Sequence, residues 1–250
     1  MSITQLMANA GHSGLSLPTD QLALHLDATD TASYSGSGTT WTDLSGNGYD
    51  FTLSNASSFV AASGSTPAHM NFESQICRRL VSGSMSNVPN ATNGTIVIFS
   101  TIKNITNNWR TLLRGSLSAP DHQVIIGNES NDLGMYDNEG GAFQNSGFNI
   151  NSVPNYTTAF NMHAWKLSQS SPYYEYFYNT NTSSASGTIT NSNATFNNGF
   201  SAIGGWHDNA NTGAGSQHWG KIMTFLYYQK HLSSSELDQI YNYYKNTAGL

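Results

Sequence analysis

Short runs of β-forming residues, separated by turns rich in Gly, Asn, Ser and Pro, constrain the fold of this chain most. The run Leu22–Asp27 alternates apolar with small or polar positions, which places three leucines on one face of a strand and His25 on the other. Similar runs recur at 49–53, 58–62, 69–72, 95–102, 110–113, 123–126, 162–167, 173–178, 188–190, 200–203 and 221–228. Such spacing is typical of antiparallel sheets joined by hairpins and longer loops, so the sequence predicts an all-β protein.

Two of these runs indicate how the sheets pack. Residues 95–102, Thr-Ile-Val-Ile-Phe-Ser-Thr-Ile, are apolar on both faces near the middle, which suits a central strand covered on each side. We therefore expect two antiparallel sheets packed as a two-layer sandwich. The tyrosine-rich run 173–178 fits a strand whose rings either pack in the core or line a groove.

The C-terminus predicts a short helix. Ser233 is a good N-cap and Glu236, three residues later, completes a capping box. An apolar stripe then recurs at i, i+3, i+4 and i+7, formed by Leu237, Ile240, Tyr241 and Tyr244. One face of this helix is expected to dock on the sandwich.

The charge of the chain argues against two classes of partner. Charged residues make up 10% of the 250 residues, against roughly 25% in an ordinary soluble domain. The formal net charge is -6 with nine Lys plus Arg, so no basic stripe is available for nucleic acid. No segment approaches the ~18 apolar residues of a membrane span, and residues 1–21 lack the pattern of a secretory signal. We expect no nucleic acid and no membrane partner.

Both ends of the chain resemble a known family. The segments 24–28 (Leu-His-Leu-Asp-Ala), 33–41 (Ser-Tyr-Ser-Gly-Ser-Gly-Thr-Thr-Trp) and 43–48 (Asp-Leu-Ser-Gly-Asn-Gly) are similar to the first strands of laminin-G-like, concanavalin A-like jelly rolls. They look like the version found in virion proteins of bacteriophages and large DNA viruses. Near the other end, 203–205, 219–222, 225–228 and 231–236 resemble that family's closing strand and its terminal Leu-Ser-x-x-Glu helix.

The resemblance implies a domain division. Residues 22–250 are expected to form one concanavalin A-like, laminin-G-like β-sandwich with the helix laid against it. Residues 1–21 are rich in Ser, Gly, Asn and Pro and carry no strand or helix pattern. They are expected to form an N-terminal arm, either flexible or ordered on another subunit.

Two functions are left open by the sequence. The resemblance implies a non-enzymatic virion structural protein, a capsid decoration or fibre-like component on the particle surface that binds capsid or other virion proteins. A homo-oligomer is expected, with a trimer as the simplest guess. The alternative is a carbohydrate-binding adhesin or lectin module that recognises host-surface glycans.

A Gly-, Asn- and Ala-rich loop bracketed by tryptophans is the candidate glycan site. Sugar rings stack their C–H faces on exposed indoles while Asn and Asp bond the hydroxyls, so five residues are candidate contacts: Trp206, His207, Asp208, Asn211 and Trp219. Trp109 and Tyr136 occur near other turns. The alternative is that the two loop tryptophans are core rings on the strands that the loop joins.

The hexad 43–48 has a structural and a functional interpretation. In the first, Asp43 or Ser45 bonds nearby backbone amides while the segment Gly46, Asn47 and Gly48 takes positive φ and closes a tight corner. In the second, Asp27, Asp43 and Asn47 contribute oxygens to Ca²⁺. That cation takes six to eight oxygen ligands and only two carboxylates are in view, so the sequence favours the corner and requires no cofactor.

Paired acids, the minimum for glycoside hydrolysis, are missing from the sequence pattern. Retaining glycosidases need two carboxylates ~5 Å apart, on one strand or on facing strands. Glu175 is the one acid well inside a predicted strand, and it has no acidic companion nearby in sequence. No nucleophile motif occurs either. The sequence therefore predicts a protein that is not an enzyme.

Overall fold

A computed structural model describes residues 14–54, 58–73, 77–78, 80–81, 84–104, 109–114, 122–126, 130–137, 142–179, 185–196, 199–205 and 218–250. Its regular elements are β1 (Leu22–Asp27), β2 (Thr40–Trp41), β3 (Phe51–Leu53), β4 (Phe59–Val60), β5 (His69–Asn71), β6 (Cys77–Arg78), β7 (Leu80–Val81), β8 (Ser84–Met85), β9 (Asn93–Ile102), β10 (Arg110–Arg114), β11 (His122–Ile126), β12 (Asp132–Asp137), β13 (Ala142–Asn149), β14 (Asn161–Ser168), β15 (Tyr174–Tyr178), β16 (Gly187–Ile189), β17 (Ala202–Ile203), β18 (Gly220–Tyr228) and α1 (Ser234–Ala248). Short 3-10 helices lie at Ile150–Ser152 and Ser192–Ala194.

The strands form two antiparallel sheets. Sheet A has the order β16-β15-β14-β9-β18-β5-β4, with β1 also paired to β18. Sheet B has the order β13-β12-β11-β10-β17-β6-β3-β2, and β7 pairs with β8 as a separate hairpin. The predicted all-β, two-sheet sandwich is confirmed.

The main core lies between the two sheets. Ile96 and Ile98 of β9 and Trp165 of β14 pack there against Leu113 and Met135 of sheet B. We call this region the inter-sheet core. Strand β9 is paired on both sides, with β14 and β18, and its opposite face is also buried. It is therefore the central, doubly covered strand that the sequence predicted.

The helix covers the outer face of sheet A as a third layer. Leu237, Ile240 and Tyr244 are buried against Val97 and Phe99 of β9. The predicted capping box is present at the start of α1, and the helix ends at a glycine in the left-handed conformation. Within the described part of the chain, no helix is long and apolar enough to cross a membrane.

Strand β1 departs from its predicted alternation at one residue. Leu24 and Leu26 enter the inter-sheet core and His25 faces the helix, as expected. Leu22 instead packs with the cluster under the helix, because the pairing with β18 contains a bulge between Leu22 and Leu24. A single extra residue reverses the face to which every preceding side chain points.

Part of the predicted N-terminal arm lies against the helix. Leu17 packs on the cluster beneath α1, the Tyr228 hydroxyl donates to the Pro18 carbonyl at 3.0 Å, and Gln239 Nε2 donates to the Ser16 carbonyl at 2.6 Å. Residues 1–13 of the arm lie outside the described residues.

Candidate functional site

Three half-buried aromatic side chains, Trp109, Tyr136 and Phe143, form a cluster on sheet B. The Trp109 ring centroid lies 5.7 Å from that of Tyr136 and 5.5 Å from that of Phe143. The interplanar angles are 73° and 69°, so Trp109 stands edge-to-face against both other rings. We call these three residues the aromatic cluster.

Strand alternation places this cluster on the outer face of sheet B. Leu133 and Met135 of β12 point into the inter-sheet core, so Tyr136 points away from it. Phe143 of β13 is the directly opposed partner of Tyr136 and shares its face. The outer face of sheet B therefore carries the aromatic cluster, whereas the outer face of sheet A carries the helix.

Gly134 fixes how the Phe143 ring lies on the sheet. A Cβ at Gly134 would come within 2.7 Å of two carbon atoms of that ring and 2.2 Å from the Gln144 carbonyl oxygen. The ring therefore occupies the space above Gly134 that any side chain would fill. The missing side chain lets the phenyl group lie over the sheet surface.

Polar side chains continue along the same outer face. Asp132 lies two residues from Gly134 on β12, and Asn145 is the opposed partner of Gly134. Asn145 Nδ2 donates to Asp132 Oδ2 at 2.8 Å and Asn149 Nδ2 to Asp132 Oδ1 at 3.2 Å. One carboxylate thus orients two amides beside the aromatic cluster.

The two ends of the predicted glycan loop are fixed beside the strand that follows Trp109. The Gly204 amide donates to the Leu112 carbonyl at 2.6 Å, and His218 forms an isolated bridge with Thr111. Both contacts are on β10, within three residues of Trp109. Four of the candidate contacts lie outside the described residues: Trp206, His207, Asp208 and Asn211.

Trp219, the fifth candidate contact, is a core residue. It is completely buried, its indole N–H donates to Ser100 Oγ at 3.0 Å, and its ring stands T-shaped to Trp165 at 6.0 Å. The prediction that Trp219 offers an exposed ring to a sugar is therefore corrected. Its large apolar surface is buried by packing at the base of the loop.

Asp43 acts as the corner residue that one interpretation predicted. Its Oδ1 accepts from the amides of His25 and Ser45, and its Oδ2 accepts from Ser45 Oγ and the Tyr49 amide, all at 2.8–3.0 Å. Four donors from the protein thus surround this carboxylate. It ties the corner to β1 on one side and to the entry of β3 on the other.

The other two predicted calcium ligands are engaged separately. Asn47 Nδ2 donates to the carbonyls of Leu22 and Ala23, both at 3.1 Å, and the Asp27 carboxylate points towards the helix. In the described part of the chain, no group of three or more His, Cys, Asp or Glu side chains could hold a metal ion. A calcium site at Asp27, Asp43 and Asn47 stays a prediction that these hydrogen bonds do not favour.

Asp27 instead belongs to a buried polar network beneath α1. The Tyr244 hydroxyl donates to Asp27 Oδ2 at 2.8 Å and lies 3.0 Å from His25 Nε2. Thr29 donates to Asp27 Oδ1 through its amide and its hydroxyl, at 2.8 and 2.7 Å. Burial acts to raise the pKa of Asp27, but His25 and the Thr29 bonds outweigh it and lower that pKa. The network fastens the helix to sheet A.

His163 is a second buried polar group, inside the inter-sheet aromatic packing. Its ring stacks with Trp165 and Tyr176 at centroid distances of 6.1 and 6.0 Å. Nδ1 lies 2.7 Å from the Tyr176 hydroxyl, while Nε2 has no partner among the described residues. Burial lowers the pKa of His163 to about 3, so the imidazole is neutral in the folded protein at physiological pH.

Comparison with known proteins identifies no family for this chain. No family model matches it, and no curated protein matches it. Solved structures do match. A mutant Trypanosoma rangeli sialidase displaying trans-sialidase activity aligns with a TM-score of 0.60 and 14% identity, over 98% of this chain and 38% of that one.

Two smaller structures match equally well. Domain 4 of AbnA, a GH43 extracellular arabinanase from Geobacillus stearothermophilus, in complex with arabinotriose, gives a TM-score of 0.58 and 15% identity over 88% of this chain and 98% of that one. A tryptophan-to-alanine mutant of HCR/D gives 0.58 and 12% over 89% and 51%. The chain spans about a third of the sialidase chains it matches. At these identities the likeness shows the sandwich fold.

Phe143 is the member of the aromatic cluster that the sequence did not indicate. The strand pattern of the sequence does not include β12 and β13, so it does not predict that Tyr136 and Phe143 share one face of a sheet. The segment Asn-Glu-Gly-Gly at 138–141, between Tyr136 and Phe143, is a hairpin signal that points to this pairing.

Proposed function

We propose that this protein is a carbohydrate-binding module whose ligand lies on the aromatic cluster of sheet B. The observation that carries the proposal is that Trp109, Tyr136 and Phe143, each half-buried, meet on one outer sheet face. Tyr and Trp present large, rigid, amphipathic surfaces and are the residue types that dominate binding energies at recognition sites.

The polar surroundings of the cluster suit a ligand rich in hydroxyl groups. Asn145 is exposed and is oriented by Asp132, and Asn149 is held on the same carboxylate. Sugar hydroxyls both donate and accept hydrogen bonds, and amide and carboxylate groups match both roles. The cluster would supply stacking area and these side chains the directional contacts.

The comparisons support a glycan ligand by fold analogy. Domain 4 of AbnA, matched over nearly its whole length, is described in complex with arabinotriose. A T. rangeli sialidase that also matches, with a TM-score of 0.59, is described in complex with sialic acid. Because a shared fold does not transmit a function, the residues of this chain carry the proposal and the analogy only agrees with it.

We further propose that the protein binds its glycan without cleaving it. Asp132, on the same strand as Tyr136, already accepts from two side-chain amides. Glu175 lies in sheet A opposite Lys166 and Thr188, away from the aromatic cluster. Neither arrangement supplies the pair of carboxylates that hydrolysis requires. Incubating the protein with each bound glycan should release no reducing ends.

A glycan array with matched variants tests the binding proposal. The wild type should bind one group of glycans, and Trp109→Ala should lose at least about 90% of that signal, because truncating a central aromatic contact costs tenfold or more in affinity. Tyr241→Ala is the control, since it removes a half-buried aromatic from α1 beside sheet A. Equal binding by wild type and Trp109→Ala would contradict the proposal.

A coat role in a virion stays a prediction from the sequence resemblance. Capsid partners, a trimer and a position on the particle surface all belong to it. A purified particle that contains a 27.0 kDa band at high copy number would support this role. It is compatible with glycan binding, because an outward-facing coat protein can also contact host glycans.

A further inference from the structure

We infer that the ligand is a single soluble glycan chain, held in the angle between Trp109 and the paired rings of Tyr136 and Phe143. The flat surface of a crystalline polysaccharide is not expected to bind. This inference rests on the proposed function and deepens it, because it assigns the physical form of the ligand.

One side of the angle is the ring of Phe143. It occupies the space directly above Gly134, with two ring carbons 2.7 Å from where a Cβ would stand. The Gln144 carbonyl oxygen lies 2.2 Å from the same point, so a side chain at position 134 would displace the ring. We call the Phe143 ring the floor of the angle, and Tyr136 is its partner on the neighbouring strand.

The other side of the angle is the ring of Trp109. Its plane is inclined by 69° to Phe143 and by 73° to Tyr136, at centroid distances of 5.5 and 5.7 Å. Trp109 therefore stands as a wall beside the floor. The backbone behind this wall is held firmly, because Arg110 is buried and donates to the carbonyls of Lys103, Trp109 and Asn104.

Flat and angled platforms select different ligands. A crystal face contacts several rings together only when those rings are coplanar, whereas a single chain can lay one sugar face on the floor and an edge against the wall. Inclinations near 70° prevent Trp109 and Phe143 from touching one plane together. Shape complementarity to a narrow, convex ligand follows from this arrangement.

The length of the polar surface indicates more than one sugar unit. The outer face continues from Tyr136 through Gly134 to Asp132, four residues along β12, or about 13 Å at ~3.3 Å per residue. Asn145 and Asn149 lie along the same stretch on β13. Affinity should therefore rise from a monosaccharide to an oligosaccharide.

Two binding measurements on the full chain test the inference. In the first, calorimetric titrations use arabinotriose, cellohexaose, chitohexaose and sialyllactose as soluble probes. In the second, the protein is sedimented with microcrystalline cellulose and with crystalline chitin. Each is run with wild type, Trp109→Ala, Phe143→Ala and the control Tyr241→Ala, after thermal unfolding shows that all four fold.

The expected result is binding of at least one soluble probe, weakened at least tenfold in both Trp109→Ala and Phe143→Ala, with no retention on the powders. Retention on a powder that requires Trp109, without soluble binding, would overturn the inference and leave the proposed function standing. Binding that is the same in wild type and both cluster variants, or no binding in either measurement, would overturn both.

Discussion

Gly134 is the residue on which the position of the Phe143 ring depends. Replacing it with Ala should weaken glycan binding about tenfold and lower the free energy of unfolding by about 1–3 kcal/mol, because the new methyl group overlaps both the ring and the Gln144 carbonyl. Titration calorimetry and urea unfolding measure the two effects.

Gly94→Ala is the matched control for this substitution. Gly94 lies on the central strand β9, and an added Cβ there would come 2.8 Å from the Tyr227 ring of β18, so it should also destabilise the fold. It should leave glycan affinity unchanged. If Gly134→Ala keeps full affinity, the position of Phe143 does not matter for the ligand.

His163 should make the protein less stable in mild acid. Burial lowers its pKa to about 3, whereas an unfolded histidine titrates near 6.5. Between these values the unfolded chain binds more protons than the folded one, so stability is complete above pH 6.5 and falls as the pH drops below it. The loss attributable to His163 should be about 2 kcal/mol between pH 7 and pH 5.

Urea unfolding at pH 7, 6 and 5 measures this dependence, with His163→Gln as the comparison. The variant should lose less stability on acidification than the wild type. Some dependence should remain, because burial also lowers the pKa of His69. The carboxyl pKa of Glu236 is lowered to about 2, so this group changes the stability only at pH values below the range from 7 to 5. Parallel pH profiles for wild type and variant would refute the assignment to His163.

Single-residue expectations were only partly met in the corner before β3. Gly46 and Gly48 have positive φ as predicted, but Asn47 does not, because its side chain instead bonds the β1 carbonyls. Trp41 beside this corner is buried, and its indole N–H has no partner among the described residues. The residue types of the hexad determine that a turn forms. The hydrogen-bond partners of the Asn47 side chain depend on β1, which is distant in sequence.

At the scale of the element, one hydroxyl of α1 adds a hydrogen bond to a buried carboxylate of sheet A beside the apolar packing of the helix. Tyr244→Phe should lower the free energy of unfolding by about 2 kcal/mol, because it removes the hydrogen bond to the buried Asp27 carboxylate. Urea unfolding near pH 7 measures the change. Tyr241→Phe, on the same helix but half-buried, is the control and should change stability by less than about 0.5 kcal/mol. Equal effects would mean that the network does not hold the helix.

Local signals explain which elements the sequence could predict. The helix was predicted with its cap because the capping box and the apolar stripe lie within twelve residues of each other. Strands β12 and β13 were missed because Gly134 and Gly147 interrupt them and polar residues dominate β13. Their regularity comes from pairing with neighbours, and they carry two of the three rings of the candidate site.

At the scale of the whole molecule, the two outer faces of the sandwich differ in chemistry. The outer face of sheet A is covered by α1 and by the described part of the N-terminal segment. The outer face of sheet B carries the aromatic cluster and the side chains that Asp132 orients. The sandwich was predictable from strand patterns, but the strand order within each sheet was not, because it depends on pairings far apart in sequence.

Titration calorimetry at 25 °C, with one soluble oligosaccharide added to wild type and to Trp109→Ala, decides whether the outer face of sheet B binds carbohydrate. Kd should increase at least tenfold, about 1.4 kcal/mol, while the variant still unfolds in one cooperative transition. The same Kd for both proteins would contradict the assignment of carbohydrate binding to the outer face of sheet B.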